Sequence, residues 1–165
     1  MSQIKVNSII PVGGVASGQG GGIIQTIQTF KGDTATTSST SFSDITGMAA
    51  TITPTSDSNK VLVRFGVHLS SNHQPVIMLN LLRGSTNIAQ PTVTDTYHST
   101  TQLWVDGDRM INTVYEFLDS PATTSATTYK LQWKVHVANT AKLNGYYNNT
   151  QYNSTSTMTL QEVSA

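Results

Sequence analysis

The chain has 165 residues, no cysteine and nine basic against nine acidic side chains, and only 11% of its residues are charged, compared with about 25% in an average soluble domain. That length suits one domain with a real core, and the missing cysteines exclude disulfides, thiolate metal sites and a thiol nucleophile. A neutral chain lacks the field that gathers nucleic acid or an anionic membrane, and no apolar run reaches the roughly 18 residues of a membrane helix, so neither nucleic-acid binding nor membrane insertion is expected.

Residues 1–22 form one compositional block. Gly13-Gly14, Gly18 and Gly20-Gly21-Gly22 sit among small residues behind Pro11. Glycine loses the most backbone freedom on ordering, so the block is predicted to be an extended arm rather than part of a core. Its apolar anchors Ile4, Val6, Ile9, Ile10 and Val12 suit a groove on a partner. The start, Met1-Ser2-Gln3-Ile4-Lys5-Val6, lacks the apolar run of a signal peptide. Synthesis in a cytoplasm is therefore expected, with the sequons at Asn148 and Asn153 left unmodified.

From Ile23 onward the pattern is β. The sequence holds 26 Thr and 18 Ser, and branching at Cβ restricts χ1 and favours pleated strands. Ile23–Phe30, Phe42–Thr46 and Met48–Thr53 are predicted strands. Val61, Val63, Phe65, Val67 and Leu69 alternate with polar neighbours, broken only by Leu62. Val76–Arg83, Asn87–Gln90 and Ile111–Leu118 follow. Tyr129, Leu131, Trp133, Val135 and Val137 alternate without a break, and Leu143–Tyr147 and Met158–Val163 close the chain. Period two places one face on a core and the other in water. Turns are expected at Asp57-Ser58-Asn59, Gly84-Ser85, Asp119-Ser120-Pro121 and Asn144-Gly145. No amphipathic helix is found, and eight to ten antiparallel strands (a count taken from these spans) point to an all-β, jelly-roll-like sandwich over residues 23–165.

One strand differs. Val76-Ile77-Met78-Leu79-Asn80-Leu81-Leu82 is apolar on both faces, whereas a two-sheet sandwich offers only one core face. Ile77, Met78, Leu79, Leu81 and Leu82 are therefore expected at a subunit interface, with burial under a long loop as the alternative.

Three stretches resemble small structural proteins of tailed phages that infect cyanobacteria and other marine bacteria. They are Phe42-Ser43-Asp44-Ile45-Thr46-Gly47-Met48 running through Pro54 to Val63, Leu118-Asp119-Ser120-Pro121 running to Leu131, and the closing Met158-Thr159-Leu160-Gln161-Glu162-Val163. The resemblance covers most of residues 23–165, with Pro91 through Met110 its least typical part. It implies a jelly-roll-like domain on the outside of a virion, usually trimeric, as a tail-fibre, spike or decoration element. On that reading the partners are two further copies of the chain and other virion proteins, of tail or capsid, gripped through the arm.

The chemistry of a catalyst is thin. No G-x-S-x-G elbow occurs, and Ile23 stands where the third glycine of a dinucleotide fingerprint after Gly18-Gln19-Gly20 belongs. No catalytic residue, cofactor or metal is expected. His68, His73, His98 and His136 form no i, i+2 pair and are predicted on the surface, three copies of one on a trimer axis being the alternative. Asp106-Gly107-Asp108 reads as a turn, with too few oxygens for calcium. The most suggestive patch holds Tyr146, Tyr147, Asn148, Asn149, Tyr152 and Asn153. Tyr supplies rigid contact area and Asn adaptable hydrogen bonds, so the patch suits a host receptor or surface glycan, or else plain subunit packing. The resulting expectation is a non-enzymatic homotrimeric appendage of a virion exterior. The rivals are a head decoration or cement protein and a lectin-like module.

Overall fold

The computed structural model describes residues 22–73, 76–93, 95–105 and 109–165. The arm anchors Ile4, Val6, Ile9, Ile10 and Val12 and the Asp106-Gly107-Asp108 turn lie outside the described residues.

Within them the chain folds as strands alone. They are β1 (Ile23–Lys31), β2 (Ala35–Thr37), β3 (Ser43–Ile52), β4 (Lys60–Ser71), β5 (Val76–Arg83), β6 (Thr86–Asn87), β7 (Thr101–Trp104), β8 (Met110–Asp119), β9 (Thr127–Val135), β10 (Ala141–Leu143), β11 (Gly145–Tyr146), β12 (Asn149–Asn153) and β13 (Ser156–Val163). One sheet is built around β4, with β8 on one side and β13 and β10 end to end on the other; β1 and β2 lie outside β13 and β10. The second sheet runs β3-β9-β5, with β6 and β7 sharing the far side of β5. Reduced to its long strands, the order is β1-β13-β4-β8 against β3-β9-β5-β7, and the chain crosses repeatedly between the sheets. That is the double Greek key of a jelly roll.

The core follows from alternation. Val61, Val63, Phe65, Val67 and Leu69 of β4 are fully buried against Tyr129, Leu131, Trp133 and Val135 of β9. Each such side chain contributes about 1.5–3 kcal/mol relative to exposure. The expected strand to Val137 is shorter: β9 ends at Val135, and Val137 is 45% exposed. The expected pair Phe42–Thr46 and Met48–Thr53 is a single strand with a bulge. Asp44 stands opposite Gln132 and Ala49 opposite Lys130. Gly47, at φ +84°, supplies a backbone conformation other residues resist. The bulge lets both Ile45 and Met48 point inward.

The subunit-interface expectation for β5 is corrected. Ile77, Leu79 and Leu81 belong to the core, and Met78 and Leu82 on the other face are also buried within one chain. The chain's own Gln90 and Thr100 lie against that face. Asn80 Oδ1 accepts from Gln90 Nε2 at 3.0 Å and from the Thr100 backbone N–H at 3.3 Å, and Leu81 N–H donates to Thr100 Oγ1 at 2.9 Å. An apolar strand face is covered by whatever lies nearest, and here the chain's own residues do so.

Two buried carboxylates lock the sheet ends. Asp119 takes the Arg83 guanidinium at 2.8 and 3.0 Å and the Tyr129 hydroxyl at 2.7 Å, so it joins the sheets. Burial, with the bond to Asp119, pushes the Tyr129 phenol well above its ordinary pKa. In the 57–59 turn, which connects the two sheets, Ser56 Oγ accepts the Ser58 N–H.

Glu162 is fully buried and accepts from Gln25 Nε2, Asn59 Nδ2 and both the N–H and hydroxyl of Thr55 at 2.6–2.7 Å. Burial alone would raise its pKa, but these donors together outweigh it and hold the carboxyl at about 2, below the ordinary 4.5. A folded pKa below the unfolded one gives stability that is complete above pH 4.5 and is lost as pH falls toward 2. Asp33 and Asp44 are lowered by Lys31 and Lys130 and act in the same acid range. The thermal midpoint of the wild type minus that of Glu162→Gln should therefore shrink steadily across this window, and a flat difference would contradict the assignment. In the core, Trp133→Ala should cost about 3–5 kcal/mol. Lys134→Ala, which removes an ammonium 4.7 Å above the Phe42 ring, should cost no more than about 1 kcal/mol. Denaturant unfolding of the two variants checks the register of β9.

Candidate binding site

The expected single strand Leu143–Tyr147 is broken at Asn144. Asn144 adopts φ +57° and is fully buried. Its Nδ2 donates to the Lys31 carbonyl at 2.8 Å and the Asp33 carbonyl at 3.1 Å, and its Oδ1 accepts from the Ser156 hydroxyl. Its backbone N–H donates to His68 O at 2.9 Å, and its carbonyl accepts from Ser154 N–H at 3.0 Å. One residue thus fastens the β1–β2 corner, β4 and β13 at the base of the β11–β12 hairpin. Asn tolerates the left-handed conformation because its short amide can bond locally. At Gly145 a Cβ would lie 2.6 Å from Lys142 Cε and 3.1 Å from Thr34 Cγ2, so the Lys142 side chain would have to move to admit one.

The hairpin carries the Tyr/Asn patch outward. Tyr146 and Tyr152 meet edge to face with centroids 6.0 Å apart, and with Met110 they line an open, mostly apolar recess of about 290 Å³. Tyr152 is 61% exposed. Tyr147 and Asn149 are half-buried, and Asn148 and Asn153 exposed. Two amides serve the hairpin itself: Asn149 Oδ1 accepts from Gln151 N–H at 2.8 Å, and Asn153 Nδ2 donates to Thr150 O at 2.9 Å. The structure therefore joins Tyr146 and Tyr152 as a contact pair and gives Asn149 and Asn153 a share in shaping the turn. Met110 carried no signal, because it stands at the end of the least patterned stretch.

A second concavity, about 320 Å³, lies on the outer face of the β4 sheet between Arg64, Gly66, His68, Asn112, Val114, Thr155, Thr157 and Thr159. The His68 ring contacts Thr155 O at 2.8 Å and Asn112 Nδ2 at 3.2 Å, and Arg64 Nε pairs with Glu116 at 2.6 Å. Its groups bond to one another, which is the chemistry of a satisfied polar surface. Among the described residues no three His, Asp or Glu side chains cluster as metal ligands. His136, predicted on the surface, is half-buried. It follows the end of β9, and its Nδ1 accepts from Val76 N–H.

These features define a two-sheet jelly roll whose distinctive chemistry lies in exposed contact surfaces. The sequence matches no protein-family model and no curated protein. Among solved structures it is similar to infectious bursal disease virus Gt strain, with TM-score 0.46 and 12% identity over 98% of this chain and 43% of that one. The Gx strain gives TM-score 0.46 and 13% identity over 98% and 44%. The chain spans less than half the length of either.

Replacing the Asn144 amide tests the hairpin base. Asn144→Ala strips bonds from two carbonyls and a hydroxyl in the interior and should cost about 2–4 kcal/mol, since each orphaned polar group costs about 1–3 kcal/mol. Asn144→Gly loses the same bonds but none of the backbone conformation, and should be the milder of the two by about 1 kcal/mol. Equal losses in denaturant titrations would count against the left-handed conformation.

Proposed function

We propose that this chain is a non-enzymatic structural protein of a bacteriophage virion: a homotrimeric, exposed appendage of the tail-fibre or spike kind. In this reading residues 1–22 anchor it to other virion proteins, and its hairpin faces outward toward a host receptor. The observation that carries the reading is β8. It is a ten-residue edge strand paired only with β4 among the described residues. Val114 and Leu118 on its outer face are 62% and 47% exposed, and Tyr115 and Phe117 on its inner face are only partly buried. The reason is local, because the facing sheet ends in the short β6 and β7. A long, weakly charged open edge invites pairing or aggregation unless another subunit covers it. The resemblance of residues 23–165 to phage appendage proteins supports the same setting.

The Tyr146–Tyr152 recess favours a second reading, a lectin-like module, in which the aromatic pair stacks on a sugar. A head decoration protein would use the same trimer with the arm stapled to the capsid.

Light scattering on the purified chain should give about three times 17.7 kDa. Val114→Asp combined with Leu118→Asp should yield a folded monomer. A wild-type monomer at micromolar concentration would overturn the trimer. Deleting residues 2–20 should leave the thermal midpoint of the domain nearly unchanged and abolish incorporation into particles; normal incorporation would show that the sandwich itself docks.

A further inference from the structure

Three rings share a corner of the β5 sheet, in the stretch where the sequence pattern is weakest. Trp104, the last residue of β7, is 62% exposed, and Tyr97, in the connection between β6 and β7, is 57% exposed. His136 stands between them, half-buried, just past β9. Its ring centroid lies 6.4 Å from that of Trp104, with the planes tilted by 33°. It lies 6.2 Å from that of Tyr97, edge-on at 81°.

The His136 ring is held rather than free. Its Nδ1 accepts from the Val76 backbone N–H at 2.9 Å, and its own backbone N–H donates to Val76 O at 3.1 Å. An Nδ1 that accepts leaves the ring proton on Nε2, so the imidazole keeps one donor beyond its bond to the strand. The corner therefore combines two exposed aromatic side chains with one fixed N–H donor.

That combination selects its ligand class. Aromatic faces carry negative potential and disfavour an anion. A fixed N–H donor disfavours a cation, which the rings alone would have attracted. What remains is an uncharged ligand with apolar C–H faces and hydroxyl acceptors on one rigid ring. We propose that Tyr97, Trp104 and His136 form a binding subsite for a hexopyranose unit of a neutral glycan. The sugar's C–H face packs on the indole and phenol, and one of its hydroxyls accepts from His136 Nε2. The subsite uses none of the residues of the hairpin recess. It deepens the host-contact part of the proposed function, yet it needs neither the trimer nor the virion to operate.

The test is the full chain, labelled on a surface amine, applied to an array of microbial and mammalian glycans. Wild type should bind neutral glycans. Trp104→Ala and Tyr97→Ala should each lower the signal at least about tenfold, equivalent to about 1.4 kcal/mol, while Asp57→Ala, at an exposed residue of the turn before β4, leaves it unchanged. Both altered residues are exposed, so thermal midpoints near that of the wild type should confirm folding. The chain has two tryptophans and Trp133 is buried. A bound glycan should therefore also shift the emission of Trp104 to shorter wavelength in the wild type and not in Trp104→Phe. No array signal from the wild type, or a signal that survives Trp104→Ala, would overturn the proposal. A signal lost in Tyr152→Ala instead would move the sugar to the hairpin. None of these outcomes bears on the oligomer or the arm, which light scattering and particle incorporation read separately.

Discussion

The strand beside β4 leaves the sheet after Leu143, makes a hairpin, and must return in register as β13. Asn144 is what holds that gap shut. Its side chain takes the carbonyls of Lys31 and Asp33 and the hydroxyl of Ser156, and its backbone spans from His68 to Ser154. Four segments far apart in sequence thus converge on one buried residue. The pairing of β13 with β1 and β4, and with it Met158 and Leu160 in the core, starts from this point. The hairpin then projects as a separate small sheet, free to differ without disturbing the sandwich.

A chain with so little charge places several of its ions where they count. Asp119 joins Arg83 and Tyr129 across the sandwich, and Glu162, across β4 from it, collects Gln25, Thr55 and Asn59. Glu162 has only neutral donors among these partners, so its charge is stabilised by hydrogen bonds rather than by a counter-ion. Elsewhere hydroxyls serve: Thr51 bonds Thr128 across β3 and β9 at 2.7 Å, and Thr29 bonds the Ala49 carbonyl at 2.7 Å between the sheets. The surface keeps few charges to repel another copy.

The exposed apolar groups fall into distinct places with distinct chemistry. Val114 and Leu118 line an open strand edge, a geometry that another backbone can extend. Trp104 and Tyr97 flank an imidazole of fixed orientation, a geometry that suits a small rigid ligand. Tyr146 and Tyr152 lie on a projecting hairpin. These surfaces share no residues.

Alternation alone revealed the all-β class and the inward faces of β4 and β9, because a period of two is imposed by the pleat residue by residue. Residue type, not alternation, singled out Tyr146 and Tyr152, which the fold brings edge to face. Alternation could not show that the second face of β5 is buried within one chain, since Met78 and Leu82 read the same under a neighbouring subunit as under the chain's own residues. Nor could it show that Asn144 interrupts a strand, that Gly47 merges two strands into one, or that Trp104, Tyr97 and His136 meet. Each of these depends on partners separated by tens of residues, and only the packing of the two sheets brings them within bonding distance.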